Sequence, residues 1–342
     1  MNGNISSNSC DIHDFKIPVF TSVYSVVLVV GLAGNGTALY VFVCLTRRKT
    51  ANTIFMINLA ISDLFFNLTL PYRIAYYRLN EWTLGTFLCR ISSYAFYLNL
   101  YSSILFLTTL SAFRYIAIVH PVRAKSLLTV RRALAVCLAI WLFVGLATAP
   151  FLLATPHWHR GRLLCFEPHN MNWKVLLRLN YMALVPGFIL PFGTILVCYA
   201  GIMRRLCWPT QRLHRSARSS RRPICMVFIV LSSFLFCFLP YHIIRTVHLH
   251  LMSQDRHCRP FTLAVQKAIV VTLCLAASNS CLNPLLYYFV GENFRKTIKK
   301  SGIFRAVKST TFCTESAAVP EAPEPNGARC LALASVSTQS AP

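Results

Sequence analysis

The chain has 342 residues, 55% of them hydrophobic and only 13% charged, with a mean hydropathy of +0.53. A soluble surface needs about a quarter charged residues, so the composition excludes a water-soluble globular protein and marks an integral membrane protein. The net charge of +24 does not call for nucleic acid, because the Lys and Arg lie in short clusters between apolar runs rather than on one soluble face.

Residues 1–19 are polar and lack a basic region followed by an early apolar core, so no cleavable signal peptide is expected and this stretch reads as an extracellular N-terminus. Asn4, in Asn4-Ile5-Ser6, is then a glycosylation acceptor. Seven apolar segments follow, at 20–46, 53–79, 87–119, 130–153, 175–204, 223–251 and 263–289, each long enough to span a bilayer. They predict an all-α membrane protein, a seven-transmembrane helix bundle over 20–289. Basic clusters after the first, third, fifth and seventh segments (Arg47 to Lys49, Arg123 to Arg132, Arg204 to Arg222, Arg295 to Lys300) all fall on one side. That side is the cytoplasm, which places the N-terminus outside and the C-terminus inside. Residues 290–305 read as a basic amphipathic helix on the inner leaflet, with Phe294, Ile298 and Phe304 toward lipid. The Ser/Thr/Pro/Ala-rich residues 306–342 form a disordered tail in which Cys313 and Cys330 are palmitoylation candidates.

The third segment organises the rest. From Cys89 to Arg114 it covers ~37 Å as a helix, yet Tyr97, Asn99, Tyr101, Ser103 and Arg114 are strung along it. Lipid would not accommodate those groups, so other helices must surround it. Asp63 is the acid placed deepest in a span, with Asn35, Asn99, Ser103, Asn279 and Asn283 at comparable depth. Those oxygens fit either a hydrated Na⁺ or a purely structural hydrogen-bond network, and both readings stay open. Nearer the outer side, Arg73 and Arg245 accompany Tyr97 and Tyr101 with no matching buried acid. Taken singly, each arginine would simply reach for lipid phosphates; taken together with the tyrosines they point to a ligand that is both anionic and greasy. His242, His248 and His250 have no Cys or acid at metal-ligand spacing and read as core or interface residues. There is no CxxC pair, GxSxG elbow, HExxH or Gly-rich phosphate loop, so neither an enzyme nor a metal cofactor beyond Na⁺ is expected.

Short motifs recur in order through every segment: Gly34-Asn35, Asn58-Leu-Ala-Ile-Ser-Asp63-Leu, Cys89 with Phe113-Arg114-Tyr115, Trp141, Pro191 with Tyr199, Phe234-Leu-Phe-Cys-Phe-Leu-Pro240-Tyr, and Asn283-Pro284-Leu-Leu-Tyr287. Through them the chain resembles the rhodopsin-like (class A) G-protein-coupled receptors over about its first 300 residues. Tyr94-Ala-Phe-Tyr97-Leu-Asn-Leu-Tyr101, Cys165-Phe-Glu-Pro, the run from Pro240 to His250, and Leu275-Ala-Ala-Ser-Asn279 make it most similar to the cysteinyl leukotriene receptors, type 1 slightly more than type 2. The resemblance implies a plasma-membrane receptor with a Cys89–Cys165 disulfide and a second bridge, Cys10–Cys258. It implies a lipid agonist with a peptide head and carboxylates, held by Arg73, Tyr97, Tyr101, Tyr241 and Arg245. It further implies a sixth helix that pivots near Phe238 and Pro240 to open a cleft, with Arg114, Tyr199 and Tyr287 as switch residues. A heterotrimeric G protein, Gq with calcium release, would enter that cleft, and arrestin would engage the tail.

Two positions depart from the family. Phe113 stands where an Asp usually precedes the arginine, and Phe238 stands where Trp is frequent. A nucleotide or lysophospholipid receptor of the same fold is the alternative reading. A secondary transporter is disfavoured by the odd number of spans, the lack of an internal repeat and the single deep acid.

Overall fold

The computed structural model describes residues 12–153, 156–159, 161–166, 172–207, 217–254, 259–290 and 294, with side chains of 159, 217–223 and 290 excepted. Asn4, Cys10, Cys258, Ile298, Phe304, Cys313, Cys330 and the tail lie outside the described residues. Among the described residues seven helices are long and apolar enough to cross a membrane. They are α1 (His13–Leu45), α2 (Ala51–Leu79), α3 (Gly85–Val119), α4 (Val130–Leu153), α5 (Trp173–Cys207), α6 (Ile224–Ser253) and α7 (Pro260–Phe289). The expected all-α bundle is present, with one antiparallel hairpin, β1 (His157–His159) and β2 (Arg162–Leu164), between α4 and α5.

The first helix starts at His13, where the apolar pattern had put its membrane span at 20. Hydropathy marks the part of a helix that tolerates hydrocarbon, not its end. The polar turns 13–19 carry α1 further, and Asp14 sits in the first turn at the positive end of the helix dipole. α1 approaches α7 closely at Gly34, where an added Cβ would lie 2.6 Å from Pro284 Cγ.

α3 is the inner rod: it packs against α2, α4 and α5 and also touches α7, while α1, α2, α5, α6 and α7 close the ring around it. Its neighbours are pinned by polar contacts suited to a bilayer, where a donor has no water to fall back on. Trp141 Nε1 donates to Asn58 Oδ1 at 2.8 Å, joining α4 to α2, and Asn58 Nδ2 donates to the Ile54 carbonyl at 2.8 Å. At one end of the bundle Cys89, near the start of α3, is bonded to Cys165 just after β2. Buried Trp82 ties the hairpin down there, its backbone amide donating to the Leu163 carbonyl at 2.8 Å and its Nε1 to the Gly85 carbonyl at 2.7 Å.

Wide π-helical turns at Val185–Ile189 and Ser233–Phe238 lie just ahead of Pro191 and Pro240. A proline has no amide to give and its ring crowds the carbonyl four residues back, and a widened turn relieves both. At the opposite end of the bundle Phe294 corrects an expectation: it is buried rather than turned to lipid. It meets the Phe42 ring at 5.0 Å, which in turn meets Tyr287 edge-on at 5.6 Å, and aromatic partners of that kind offer more than a headgroup boundary does.

Replacing Trp141 by Phe keeps the ring packing and leaves Asn58 Oδ1 without its donor. The loss is expected to be about 1–3 kcal/mol, read as a lower melting temperature of the detergent-solubilised protein; an unchanged melting temperature would show that the bond does not hold α4.

Candidate ligand pocket and intramembrane switch

At the disulfide end, Tyr97 and Tyr101 stand one turn apart on α3 and face α6. Arg245 of α6 is half-buried and has Tyr97, Tyr241 and Tyr101 as its electrostatic neighbours. Tyr97 lies within hydrogen-bonding reach of Tyr241 and stacks on Phe151 of α4, ring centroids 3.7 Å apart. Tyr101 fits against α5 because Gly187 has no side chain; a Cβ there would come within 2.8 Å of the ring. Four of the five residues expected to line the pocket are therefore brought together.

Arg73 occupies a different setting. It is 6% exposed, its Nη2 donates to the Ser92 carbonyl at 2.7 Å, and its guanidinium lies 4.2 Å from the Phe166 ring centroid and 5.3 Å from that of Phe96. Phe166 follows the disulfide-bonded Cys165, so Arg73 fastens the hairpin's end onto α2 and α3 by cation–π contact. Among the described residues the acids are Asp14, Asp63 and Glu81, and no ion pair joins any of them to Arg73 or Arg245.

Halfway down the bundle, both Asp63 oxygens accept hydrogen bonds: Oδ1 from Asn99 Nδ2 at 2.8 Å and Oδ2 from Asn283 Nδ2 at 2.7 Å. Asn99 Nδ2 also reaches Ser62 Oγ at 3.2 Å, and Ser62 shares a 2.6 Å bond with Ser102. Asn35 donates to the Gly31 and Ser280 carbonyls and accepts from the Tyr287 hydroxyl at 3.2 Å, linking α1 with α7. The Ser103 hydroxyl and the Asn279 amide are buried with no hydrogen-bond partner among the described residues. Ser62, Ser102 and Asn67 were missed from the sequence; Asn67 is fully buried and its amide is likewise without a partner among the described residues. A serine in an apolar helix bonds its own preceding turn as readily as a neighbour, so nothing in the sequence marked the two serines; Asn67, one turn beyond Asp63 on α2, carried the same signal as the asparagines that were named.

Toward the opposite end, the Ser111 hydroxyl donates to the Leu107 carbonyl at 2.8 Å, so the 2.7 Å contact between Ser111 and Tyr199 is donated by the tyrosine. Arg114, one turn below, has Tyr199 as an electrostatic neighbour. Phe113, in the place of the usual acid, packs edge-on against Phe55 with centroids 4.8 Å apart. Phe238 is fully buried, edge-on to Phe234 at 5.3 Å, two residues ahead of Pro240.

A bundle with a cation-bearing aromatic pocket at one end and an arginine flanked by tyrosine at the other, coupled through a proline-interrupted helix, has the layout of a transmembrane receptor. Residues 34–287 match the profile of the 7 transmembrane receptor (rhodopsin family). Cysteinyl leukotriene receptor 1 of Cavia porcellus is 46% identical over 304 residues, 86% of this chain and 89% of its own. Cysteinyl leukotriene receptor 2 of Sus scrofa is 43% identical over 302 residues, 87% and 86% of the two chains. Lysophosphatidic acid receptor 6 of Homo sapiens is 36% identical over 302 residues, 86% and 88%. The chain belongs to the rhodopsin family of seven-transmembrane receptors, a multi-pass plasma-membrane protein and not an enzyme. The resemblance to cysteinyl leukotriene receptors read from the sequence is borne out.

Asp63 and Asn283 share one bond, so their losses overlap. Asp63→Leu and Asn283→Leu should each destabilise, and the double variant should lose less than the sum by about 1 kcal/mol or more. Melting temperatures of the four proteins close the cycle; strict additivity would mean the pair is uncoupled.

Proposed function

We propose that the protein is a receptor for cysteinyl leukotrienes, with the N-terminus and disulfide end outside the cell and the Arg114 end in the cytoplasm. The observation that carries the reading is the half-buried Arg245 guanidinium among three tyrosines, with no carboxylate paired to it among the described residues. A leukotriene brings what that setting lacks. Its carboxylates suit a guanidinium, which binds them in two parallel hydrogen bonds, and the tyrosine hydroxyls complete the shell. Its hydrocarbon chain suits apolar walls at about 0.8 kcal/mol per buried methylene, so the tail supplies much of the affinity and Arg245 the selectivity. The relatives at 46% and 43% identity, both cysteinyl leukotriene receptors, support the same ligand class.

Activation is a shift between two states of one bundle. The agonist favours the state in which α6 swings about the π turn and Pro240, and it must bind that state better by a few kcal/mol to repopulate it. The cleft so opened is floored by Arg114, with Tyr199 and Tyr287 on its walls, and receives a G protein. Gq with calcium release, and arrestin binding by residues 306–342, are proposed from the resemblance. The likeness to a lysophosphatidic acid receptor keeps a lysophospholipid agonist as the second reading, since a phosphate would satisfy the same guanidinium.

A sodium ion is also proposed beside Asp63. The donor set fits a hard cation: a carboxylate with lone pairs to spare, and the buried Ser103 hydroxyl and Asn279 carbonyl that have no other partner among the described residues. Asp63 would supply the charge, and Ser103 and Asn279, with Asn99 and Asn283 steadying the carboxylate, neutral oxygen. Exchanging NaCl for choline chloride should lower the melting temperature of the parent and leave Asp63→Asn nearly unmoved; equal shifts in both remove the ion from the site.

Calcium mobilisation in transfected cells, with leukotrienes, nucleotides and lysophospholipids offered side by side, tests the ligand. Arg245→Ala should weaken the leukotriene response by about tenfold or more at equal surface expression. Arg73→Ala should lower both potency and melting temperature, because it also releases Ser92 and Phe166. Parent-like responses from both variants would refute the pocket.

A further inference from the structure

His242 belongs to none of the groups assigned so far, yet it lies beside the pocket. It follows Tyr241 on α6 and is 4% exposed. Its ring stacks on Phe188 of α5 with centroids 4.3 Å apart and stands edge-on to Tyr101 at 6.0 Å and to Tyr241 at 5.2 Å. Nδ1 lies 2.9 Å from the Phe238 carbonyl oxygen. A carbonyl only accepts, so Nδ1 carries the proton, and in the neutral ring Nε2 is then an acceptor. That Nε2 is buried with no hydrogen-bond partner among the described residues. It is the distal atom of the imidazole, carried off the helix toward the bundle interior where both tyrosines stand.

Leaving a buried acceptor unmatched is unfavourable; Phe188 has no donor to offer, and the Tyr101 and Tyr241 hydroxyls, though their rings adjoin the imidazole, make no hydrogen bond to Nε2. Arg245 lies three residues further along the same helix, so a cationic donor would be repelled. A neutral hydroxyl is the donor that suits both neighbours.

We infer that His242 Nε2 is a hydroxyl-reading subsite beside the pocket tyrosines, which selects anionic lipids that also carry a hydroxyl over their deoxy counterparts. The inference rests on the anionic-lipid reading of Arg245 above and adds a second point of recognition to it. Because Nδ1 is bound to the carbonyl of Phe238, two residues before Pro240, a bond formed at Nε2 also bears on the hinge of α6.

The test compares a cysteinyl leukotriene, which carries such a hydroxyl, with its synthetic deoxy analogue on the full-length receptor in transfected cells. The readout is the ratio of the two potencies within each variant, which expression level does not move. The parent should favour the hydroxylated ligand by about tenfold. His242→Phe should bring the ratio close to one by weakening only the hydroxylated ligand. His242→Gln, whose side-chain oxygen can accept at about the same reach, should restore part of it and carries the comparison if His242→Phe fails to reach the surface. Arg245→Ala should weaken both ligands and keep the ratio. A parent that does not discriminate, or a ratio equal in the parent and His242→Phe, overturns the inference and leaves a water or nothing at Nε2. A surface-expressed parent that answers neither ligand overturns the leukotriene reading itself, and the subsite with it.

Discussion

A helix that carries Tyr97, Asn99, Tyr101, Ser103 and Arg114 through hydrocarbon has to be walled in, because a bilayer offers those groups no water. Most of the architecture answers that one demand. α2 meets Asn99 with Asp63, α5 meets Ser111 with the Tyr199 hydroxyl, and α6 brings Tyr241 and Arg245 to the two outermost tyrosines. Tyr97, Asn99, Tyr101 and Ser111 thereby each select a neighbour. The apolar residues of the surrounding helices then face lipid, where exposed side chains such as Val29, Leu146 and Val197 have a natural solvent.

The same demand explains which parts of the molecule could be read before any coordinates. Spans are legible because a run of about twenty apolar residues has one physical interpretation in a chain so poor in charge. Asp63 is legible because an isolated acid in such a run must be satisfied, and asparagines at its depth are its obvious partners; two of the expected ones, Asn99 and Asn283, are bonded to it. Less legible were features set by where a side chain turns. Arg73 and Arg245 looked equivalent as cations near one rim, but Ser92, Phe166 and Tyr24 engage the first, and Tyr97, Tyr101 and Tyr241 the second. Rotation about α2 and the return of the chain through the hairpin decide that difference, and neither has a sequence period. Phe294 was assigned to lipid by its amphipathic spacing, but the Phe42 ring that buries it lies some 250 residues earlier in the chain.

Proline placement links the polar interior to motion. Pro191 and Pro240 each follow a π turn, and in α6 that turn ends at Phe238, whose ring is buried against Phe234 and whose carbonyl is bound by His242. Regular helix on either side moves as a rigid rod, so a change of angle is easiest where the hydrogen-bond ladder is already broken. Side chains on the disulfide side of the break, Tyr241 and Arg245 among them, are the ones a ligand would touch. On the far side the rod runs toward Arg114 and Tyr199. The break that the proposed movement of α6 would use is present in the backbone.

At Phe113 an aromatic contact takes the place of the usual acid. Where an acid at this place would pair with the neighbouring arginine, the phenylalanine ring instead buries itself edge-on against Phe55 of α2. An aromatic pair of this kind contributes about 0.5–1.5 kcal/mol beyond its buried area, and it ties α3 to α2, neither of which is the helix proposed to swing. On that proposal the contact would be present in both states and bias neither. What holds α6 inward must lie in contacts that α6 itself makes: the Phe188, Phe192 and Phe234 stack between α5 and α6, and the Asn180 bond to Thr246 at 2.9 Å. Phe188 stacks on His242 and Thr246 follows Arg245, so one end of that set adjoins the proposed ligand pocket.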